Sequence, residues 1–382
     1  MMRPINVGLV GYGFMGKAHS NAYLKAPRFF DLPAPLVMRA ICGRTAENVK
    51  RVAKQWGWET VETDYRTLVV RDDIDLVDIC TDNRSHHEIA MAAIRAGKHV
   101  ACEKPLALNA EQALRMARAA KEAQVVNTVW FNYRRCPAIG LARRLVQEGR
   151  IGRIYHVRAT YLQDWLLDER FPLTWRLRRE TAGSGAHGDL NAHLVDLARY
   201  ITGLEFEEVI GLPRTFIAER PLPVPRAGRR VGRVTVDDTM LFLARLEEGA
   251  AASFEATRFA AGRKNFNRIE INGSRGSLAW CFERMNELEF YSREDQDHVR
   301  GFRTVLATEK SHPYVSAWWP PGHVLGYEHT FVNHAADIIC AIAGRGETAP
   351  TFIDGLRCQE VLDAVLESVR RRTWVRVKRH KV

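Results

Sequence analysis

Through the first third of the chain, the apolar positions switch repeatedly between two periods. Short runs, Ile5 to Val10, Val37 to Cys42, Leu76 to Cys80, His99 to Cys102 and Val125 to Phe131, read as strands. Between them Ala46 to Trp56, His86 to Ala96 and Ala110 to Ala123 place apolar residues at helical spacing, with Gly57 and Gly97 as stop signals for the first two. Strands alternating with helices predict βαβ units and a parallel sheet. Three prolines between Pro27 and Pro35 break the rhythm and predict an irregular loop.

Beyond Phe131 the texture changes. A helix from Pro137 to Glu148, a strand from Ile154 to Leu162, an aromatic-rich loop and another helix lead into strands with no helices between them. These run Thr239 to Leu246, Ala251 to Thr257, Arg268 to Asn272 and Leu288 to Tyr291, with turns at Glu248-Gly249 and Gly273 to Gly276. That order predicts a mostly antiparallel sheet, closed by helices from Tyr327 to Ala343 and Asp354 to Arg370. The expectation is an α/β protein of two domains: residues 1–131 with the parallel sheet, and an α+β domain over 132–382. A length of 382 residues, more than one core usually reaches, agrees with that division.

Charge alters this picture little. Lys and Arg number 56 against 45 Asp and Glu, a net +11, but the positive residues are scattered in twos, as at Arg178-Arg179 and Arg229-Arg230. Without a nucleic-acid motif or a membrane-length apolar run, neither partner is expected. The dense run Arg376 to Lys381 reads as a solvated terminus. Seven cysteines lie far apart with no C-x-x-C spacing, which fits reduced core residues in a cytoplasmic protein.

Candidate chemistry begins right after the first strand, at Gly11-Tyr12-Gly13-Phe14-Met15-Gly16. In a G-x-G-x-x-G of this context Gly11 makes the tight turn, Gly13 admits a pyrophosphate and Gly16 lets the next helix pack on the sheet. The helix start at Phe14 and Met15 offers free N–H groups to the phosphates, so the first domain reads as a Rossmann dinucleotide-binding domain. After the second strand, where a carboxylate commonly accepts the ribose hydroxyls of NAD, stands Gly43-Arg44. The cofactor is therefore NAD(P), and the missing carboxylate beside a guanidinium favours NADP; alternatively Arg44 stacks on adenine or faces solvent and NAD is used. Thr81, Asn83 and His86 follow the third strand at the ligand-binding edge, either lining the groove or forming a capping turn.

The fourth strand ends in Glu103-Lys104-Pro105, where Lys104 either donates to a reacting oxygen or makes a surface ion pair. Further on, a glycine-rich loop leads into a helix bearing Asp189, His193 and Asp196. Asp189 and His193, four apart, form either a general base with its orienting carboxylate or a structural pair. No further ligand completes a metal site with them, so no metal is expected. His187 reads as a loop or substrate contact. Gln163, Trp165, Trp175 and Arg176 mix aromatic faces with polar groups, either a sugar site or core and interface residues. A second aromatic stretch holds His312, Trp318, Trp319 and His323.

Taken together, the glycine fingerprint, Thr81-Asp82-Asn83, Glu103-Lys104-Pro105 and the Asp-x-x-x-His of Asp189 and His193 resemble the Gfo/Idh/MocA oxidoreductases over nearly the whole chain. The resemblance implies a Rossmann domain followed by a domain with a large open-faced sheet, and a nicotinamide cofactor held in part by Glu103 and Asn132. It also implies hydride transfer with a ring alcohol of a sugar, anhydrosugar, glycoside or cyclitol. By motif, Lys104 would bind and polarise the hydroxyl, His193 would act as acid and base, and Asp189 would bind substrate or orient His193. Asn132-Tyr133-Arg134 resembles the segment that enters the site. Residues 131–135 and 161–165 resemble members acting on levoglucosan, inositols and glycosides. The open sheet predicts a homodimer or homotetramer. The rival reading is a cofactor-binding regulatory or scaffold protein of this fold without turnover, against which intact Lys104 and His193 weigh.

Overall fold

Ile5–Val10 (β1) is buried along nearly its whole length, as a strand covered on both faces must be. The computed structural model describes residues 3–226, 229–346 and 349–382. After β1 come Phe14–Phe29 (α1), Leu36–Cys42 (β2), Ala46–Trp56 (α2), Thr60–Glu62 (β3), Tyr65–Val69 (α3) and Leu76–Ile79 (β4). Asn83–Arg95 (α4), His99–Cys102 (β5), Ala110–Glu122 (α5) and Asn127–Val129 (β6) follow. All strand pairs here are parallel, in the order β3-β2-β1-β4-β5-β6. The order reverses direction between β1 and β4, the point at which open sheets of this kind bind ligands.

One expectation fails at the prolines. α1 continues through Pro27 to Phe29, and the Phe30 N–H still donates to the Ala26 carbonyl. In the last turn a proline forfeits only one helical hydrogen bond, and burial of Tyr23 and Ala26 on the same helix outweighs it. The irregular connection is therefore shorter than the sequence suggests.

The remaining chain comprises Pro137–Gln147 (α6), Ile154–Leu162 (β7), Arg179–Ala182 (α7), Ala192–Thr202 (α8), Phe206–Arg214 (β8), Glu219–Arg226 (β9) and Arg229–Arg233 (β10). Then come Thr239–Leu246 (β11), Ala251–Thr257 (β12), Phe266–Gly273 (β13), Gly276–Cys281 (β14), Glu287–Ser292 (β15) and Arg303–Leu306 (β16). Tyr327–Ile342 (α9), Phe352–Arg371 (α10) and Val375–Arg376 (β17) complete it. Nine strands form one sheet, β16-β15-β14-β13-β7-β12-β11-β8-β17, antiparallel except for β7 and β12. β8, β9 and β10 were not legible in the sequence: Pro213 interrupts β8, prolines 221, 223 and 225 interrupt β9, and β10, Arg229-Arg230-Val231-Gly232-Arg233, has a single apolar side chain and so no alternation to read.

Compact packing groups the chain into two units: Met1–Arg135 with Gly326–Arg357 and His380–Val382, and Cys136–Leu325 with Cys358–Arg379. α9 and the segment after it thus join the parallel sheet. The Pro350 carbonyl accepts from Val129 N at 3.0 Å and from Thr128 Oγ1 at 2.7 Å, and Phe352 N donates to Asn127 Oδ1 at 2.7 Å, extending the sheet edge at β6. The basic tail is tied down rather than free, since the Lys381 carbonyl accepts from Arg118 Nη2 at 2.8 Å and Arg379 pairs with Glu247 at 2.8 Å.

In the second unit β11 alternates from Met240 onward, with Met240, Phe242, Ala244 and Leu246 buried. Its other face, together with β8, exposes Leu212 (59%), Leu241 (39%) and Leu243 (52%). Leu212 and Leu241 are directly paired across the strands.

Candidate active site

The glycine turn in the first unit is built from close approaches. Gly11 has φ +105°, and a Cβ there would stand 2.6 Å from the Cys80 carbonyl oxygen. A Cβ at Gly16 would stand 2.3 Å from the Gly11 carbonyl oxygen, so α1 closes on the turn only with glycine at that position. Around Gly13, by contrast, nothing lies within 4 Å of a Cβ. Gly13 caps α1 without a side-chain hydrogen bond, and the first turn carries no acidic residue. The terminal N–H groups of Phe14, Met15 and Gly16 and the positive end of the helix dipole therefore suit an anionic diphosphate.

Gly43 has a packing reason to be glycine. A Cβ there would fall 1.9 Å from Tyr12 Cε1, so the tyrosine ring occupies the ground on which an acidic side chain would stand. Arg44 beside it is exposed.

Thr81, Asn83 and Lys104 stand at the carboxyl ends of β4 and β5, on the same sheet edge as the glycine turn. Thr81 Oγ1 accepts from Ser85 Oγ at 2.7 Å, a local turn that heads α4, and Asn83 is buried. His86 is fully buried with Nδ1 3.0 Å from the Pro105 carbonyl and Nε2 3.3 Å from that of Thr81, and burial holds its pKa below the ordinary value. Packed between those two carbonyls, the neutral ring can donate to only one of them, and Nδ1 lies nearer to that of Pro105, behind the Lys104-Pro105 turn. Lys104 is half-buried and its bond to Pro105 is cis. Glu103 is buried, and its Oε2 accepts from the Lys104 N–H at 3.1 Å.

Asn132 Nδ2 donates to Thr330 Oγ1 at 2.9 Å, and the buried Arg134 pairs with Asp354 at 3.1 Å, next to a buried Tyr133. These contacts tie the residues to α9 and α10.

A second constellation lies within the other unit. His187–Asn191 forms a π-helical turn ahead of α8, a local irregularity often found at functional sites. It places Asp189 on the turn and His193, 5% exposed, on α8. Asp189 Oδ2 accepts from Arg258 Nη2 at 2.8 Å, and Arg258 is itself only 1% exposed. The Arg258 guanidinium also lies 5.2 Å from the centre of the Trp165 ring. Trp165 Nε1 donates to Gln163 Oε1 at 2.9 Å, Gln163 Nε2 to Asn265 Oδ1 at 2.9 Å, and the Tyr161 hydroxyl to the same oxygen at 2.6 Å. The Tyr161 ring is 5.9 Å from that of His193, which brings Asp189, His193, Gln163 and Trp165 into one polar cluster.

Trp175 and Arg176 pair with each other, the guanidinium 4.4 Å from the ring centre. His187 is buried, not a loop contact: Nε2 donates to the Leu362 carbonyl at 2.9 Å, Nδ1 accepts from Asn191 at 3.1 Å, and burial keeps the ring neutral. Both Asp237 oxygens hold this turn, accepting from Gly185 N at 2.7 Å and His187 N at 2.8 Å. In the second aromatic stretch, His312 Nδ1 accepts from Glu309 N and His323 Nδ1 lies 2.9 Å from the Pro320 carbonyl.

Sequence reasoning passed over Arg258, Asn265 and Asp237. Arg258 carried a faint signal, an arginine directly after an alternating strand, while Asn265 and Asp237 lie in turns with nothing to distinguish them.

Residues 5–132 match the oxidoreductase family with an NAD-binding Rossmann fold, and residues 139–279 match the GFO/IDH/MocA C-terminal domain. The chain belongs to the Gfo/Idh/MocA family. As a member it is an NAD-binding oxidoreductase with a Rossmann domain and a large, mostly antiparallel second sheet. It is 44% identical to a levoglucosan dehydrogenase of Pseudarthrobacter phenanthrenivorans over 98% of this chain and 99% of that protein. A levoglucosan dehydrogenase solved with NADH and L-sorbose superposes with a TM-score of 0.95 at 44% identity, covering 99% of this chain and all of the other. An oxidoreductase domain protein from Kribbella flavida gives 0.96 at 53% identity over 99% and 100% of the two chains. Among the described residues no helix of this Gfo/Idh/MocA protein is long and apolar enough to cross a membrane.

Proposed function

We propose that this oxidoreductase is an NAD-dependent dehydrogenase of a ring secondary alcohol in a sugar, anhydrosugar, glycoside or cyclitol, with levoglucosan-like anhydrosugars foremost. The observation that carries this reading is the polar cluster of Asp189, His193, Gln163 and Trp165 in a chain 44% identical to a levoglucosan dehydrogenase. Gly11, Gly13, Phe14, Met15 and Gly16 hold the diphosphate, and Gly43, Arg44, Thr81, Asn83 and Asn132 complete the cofactor groove, with Glu103 supporting it from beneath through the Lys104 main chain. When bound, the cofactor supplies the hydride acceptor. Lys104 hydrogen-bonds the substrate oxygen and lowers the pKa of its hydroxyl, and His193 takes the proton. Asp189, held by Arg258, orients the base or the substrate. Trp165 and Trp175 cover sugar C–H groups while Gln163, Arg176, Tyr133 and Arg134 read hydroxyls.

NAD rather than NADP is the cofactor we assign. The missing carboxylate at position 43 is accounted for by the Tyr12 ring, without a 2′-phosphate to accommodate. Kinetics with levoglucosan, inositols, glucose and glycosides should give a kcat/KM for NAD at least ~10-fold above that for NADP. Absence of NADH formation with every one of these polyols would refute the assignment of activity.

The first unit is assigned to dinucleotide binding and the second to substrate binding and self-association. The exposed leucine row on β8 and β11 supports a homodimer or homotetramer, because an apolar sheet face left to water is unfavourable. Light scattering should return a multiple of 43.5 kDa, and a monomeric mass would count against it. Seven free thiols, mostly buried, support a cytoplasmic location.

A further inference from the structure

Beneath the sheet edge that carries Lys104, three ionisable side chains are buried against one another. His19, three residues beyond Gly16 on α1, is fully buried, with Nδ1 2.8 Å from Asp78 Oδ2 and Nε2 3.1 Å from Glu103 Oε1. The other donors to Asp78 are neutral: the Tyr23 hydroxyl at 2.9 Å to Oδ2 and Trp130 Nε1 at 2.8 Å to Oδ1. A neutral imidazole carries one N–H and cannot donate to two carboxylates at once. Two buried carboxylates without a cation would also be strongly unfavourable. Both conditions are met when both ring nitrogens carry hydrogen.

The remaining groups around the ring agree. Cys80 Sγ lies 3.0 Å from Nδ1, and burial, reinforced by Asp78 and Glu103, pushes its thiol pKa well up and keeps it neutral. Tyr23 is raised in the same way. Trp130 lies with its ring centre 4.0 Å from that of His19, and Phe331 of α9 at 5.5 Å. His334 of α9 is held well below its ordinary pKa by burial, then by Arg135, His19 and Arg134, so it stays neutral. Burial also opposes protonation of His19, but Asp78 and Glu103 outweigh it and raise its pKa to about 9. His19, Asp78 and Cys80 present ligand atoms within 4.8 Å of one another, a spacing that a metal ion would also accept. Both Asp78 oxygens already accept protein hydrogens, so a proton on His19 suffices as the counter-charge.

We propose that His19 is a positioning residue, an imidazolium that locks Glu103 to Asp78 and so holds the main chain of Lys104. The link is direct: Glu103 Oε1 faces His19 while Oε2 accepts the Lys104 N–H. One side chain on the helix that begins at the glycine turn thereby fixes the strand end that bears the lysine. Only the consequence for turnover rests on the function proposed above.

The test uses the full-length protein. Nitrogen-labelled histidine NMR should show His19 protonated on both ring nitrogens at about pH 7 and titrating near pH 9. Its signals are assigned by their loss in His19→Gln and by their shift in Glu103→Gln, which should lower the midpoint by about one unit or more. Hydrogen exchange at the Lys104 amide should quicken about tenfold or more in His19→Gln. In turnover His19→Gln should lower kcat about tenfold or more, with KM for NAD within about threefold. Because the folded-state pKa is raised, the stability His19 contributes is complete below its unfolded value and is lost as pH rises through about 9. The wild-type Tm should therefore fall over that range more than that of His19→Gln. A neutral His19 at pH 7, or unchanged Lys104 exchange in His19→Gln, would overturn the proposal. If His19→Gln does not fold, the wild-type spectrum and the Glu103→Gln shift decide. A protein with no polyol turnover would defeat the proposed activity while the spectral and exchange results still decide this inference.

Discussion

His193→Ala is expected to lower kcat for polyol oxidation by ~10²–10⁴-fold, the range that a positioned acid–base group contributes. His193 is nearly buried at the start of α8, beside Tyr161 and in one cluster with Asp189. Its neighbours are fixed independently of it: Arg258 holds Asp189, and Asn265 holds Tyr161 and Gln163. Removing the imidazole should therefore delete the base without collapsing its surroundings. Binding of NADH, measured by fluorescence, should persist, because the glycine turn belongs to the other unit. Added imidazole should restore part of the rate by occupying the vacated space. A kcat within about tenfold of wild type across the whole pH range would remove His193 from the chemistry.

Gly16→Ala should act in the opposite place, sparing the chemistry and damaging the cofactor cradle. The new methyl would stand 2.3 Å from the Gly11 carbonyl oxygen, a main-chain atom with no rotamer by which to move aside. Either α1 withdraws from the turn or the turn opens, and overpacking of this kind costs ~1–3 kcal/mol. If closing the turn around the diphosphate has to repay that cost, the Kd for NADH rises about 5- to 150-fold. Calorimetric titration of the folded variant with NADH measures it, and an unchanged Kd would show that Gly16 is not needed for the approach of helix to turn. Gly13→Ala is the informative partner, since the space around it is open to protein atoms and its methyl would meet only a ligand.

The two units differ in how far their sites could be read. In the first, the glycine fingerprint, the strand ends at Thr81 and Lys104 and most of the parallel strands follow from local period and turn chemistry, so short windows of sequence contain them. Pro27 misled that reading because its cost falls in a final helical turn, where burial of Tyr23 and Ala26 decides. The missing carboxylate at Gly43 suggested a phosphate-tolerant cofactor site; the Tyr12 ring packed on it supplies a different reason, visible only once the two backbones are placed.

By itself the sequence determined the two kinds of sheet and pointed to the glycine turn and to Lys104, Asp189 and His193 as candidates for the chemistry, because periodicity and motif spacing are local properties of the chain. Tertiary structure alone decided what each of those residues leans on. Arg258 reaches Asp189 across 69 positions and His19 reaches Glu103 across 84, and α9, far along the chain, packs with the first unit. The physical reason is that a buried charge is satisfied by whichever opposite charge or donor folding carries to it, and no periodicity along the chain records that partner.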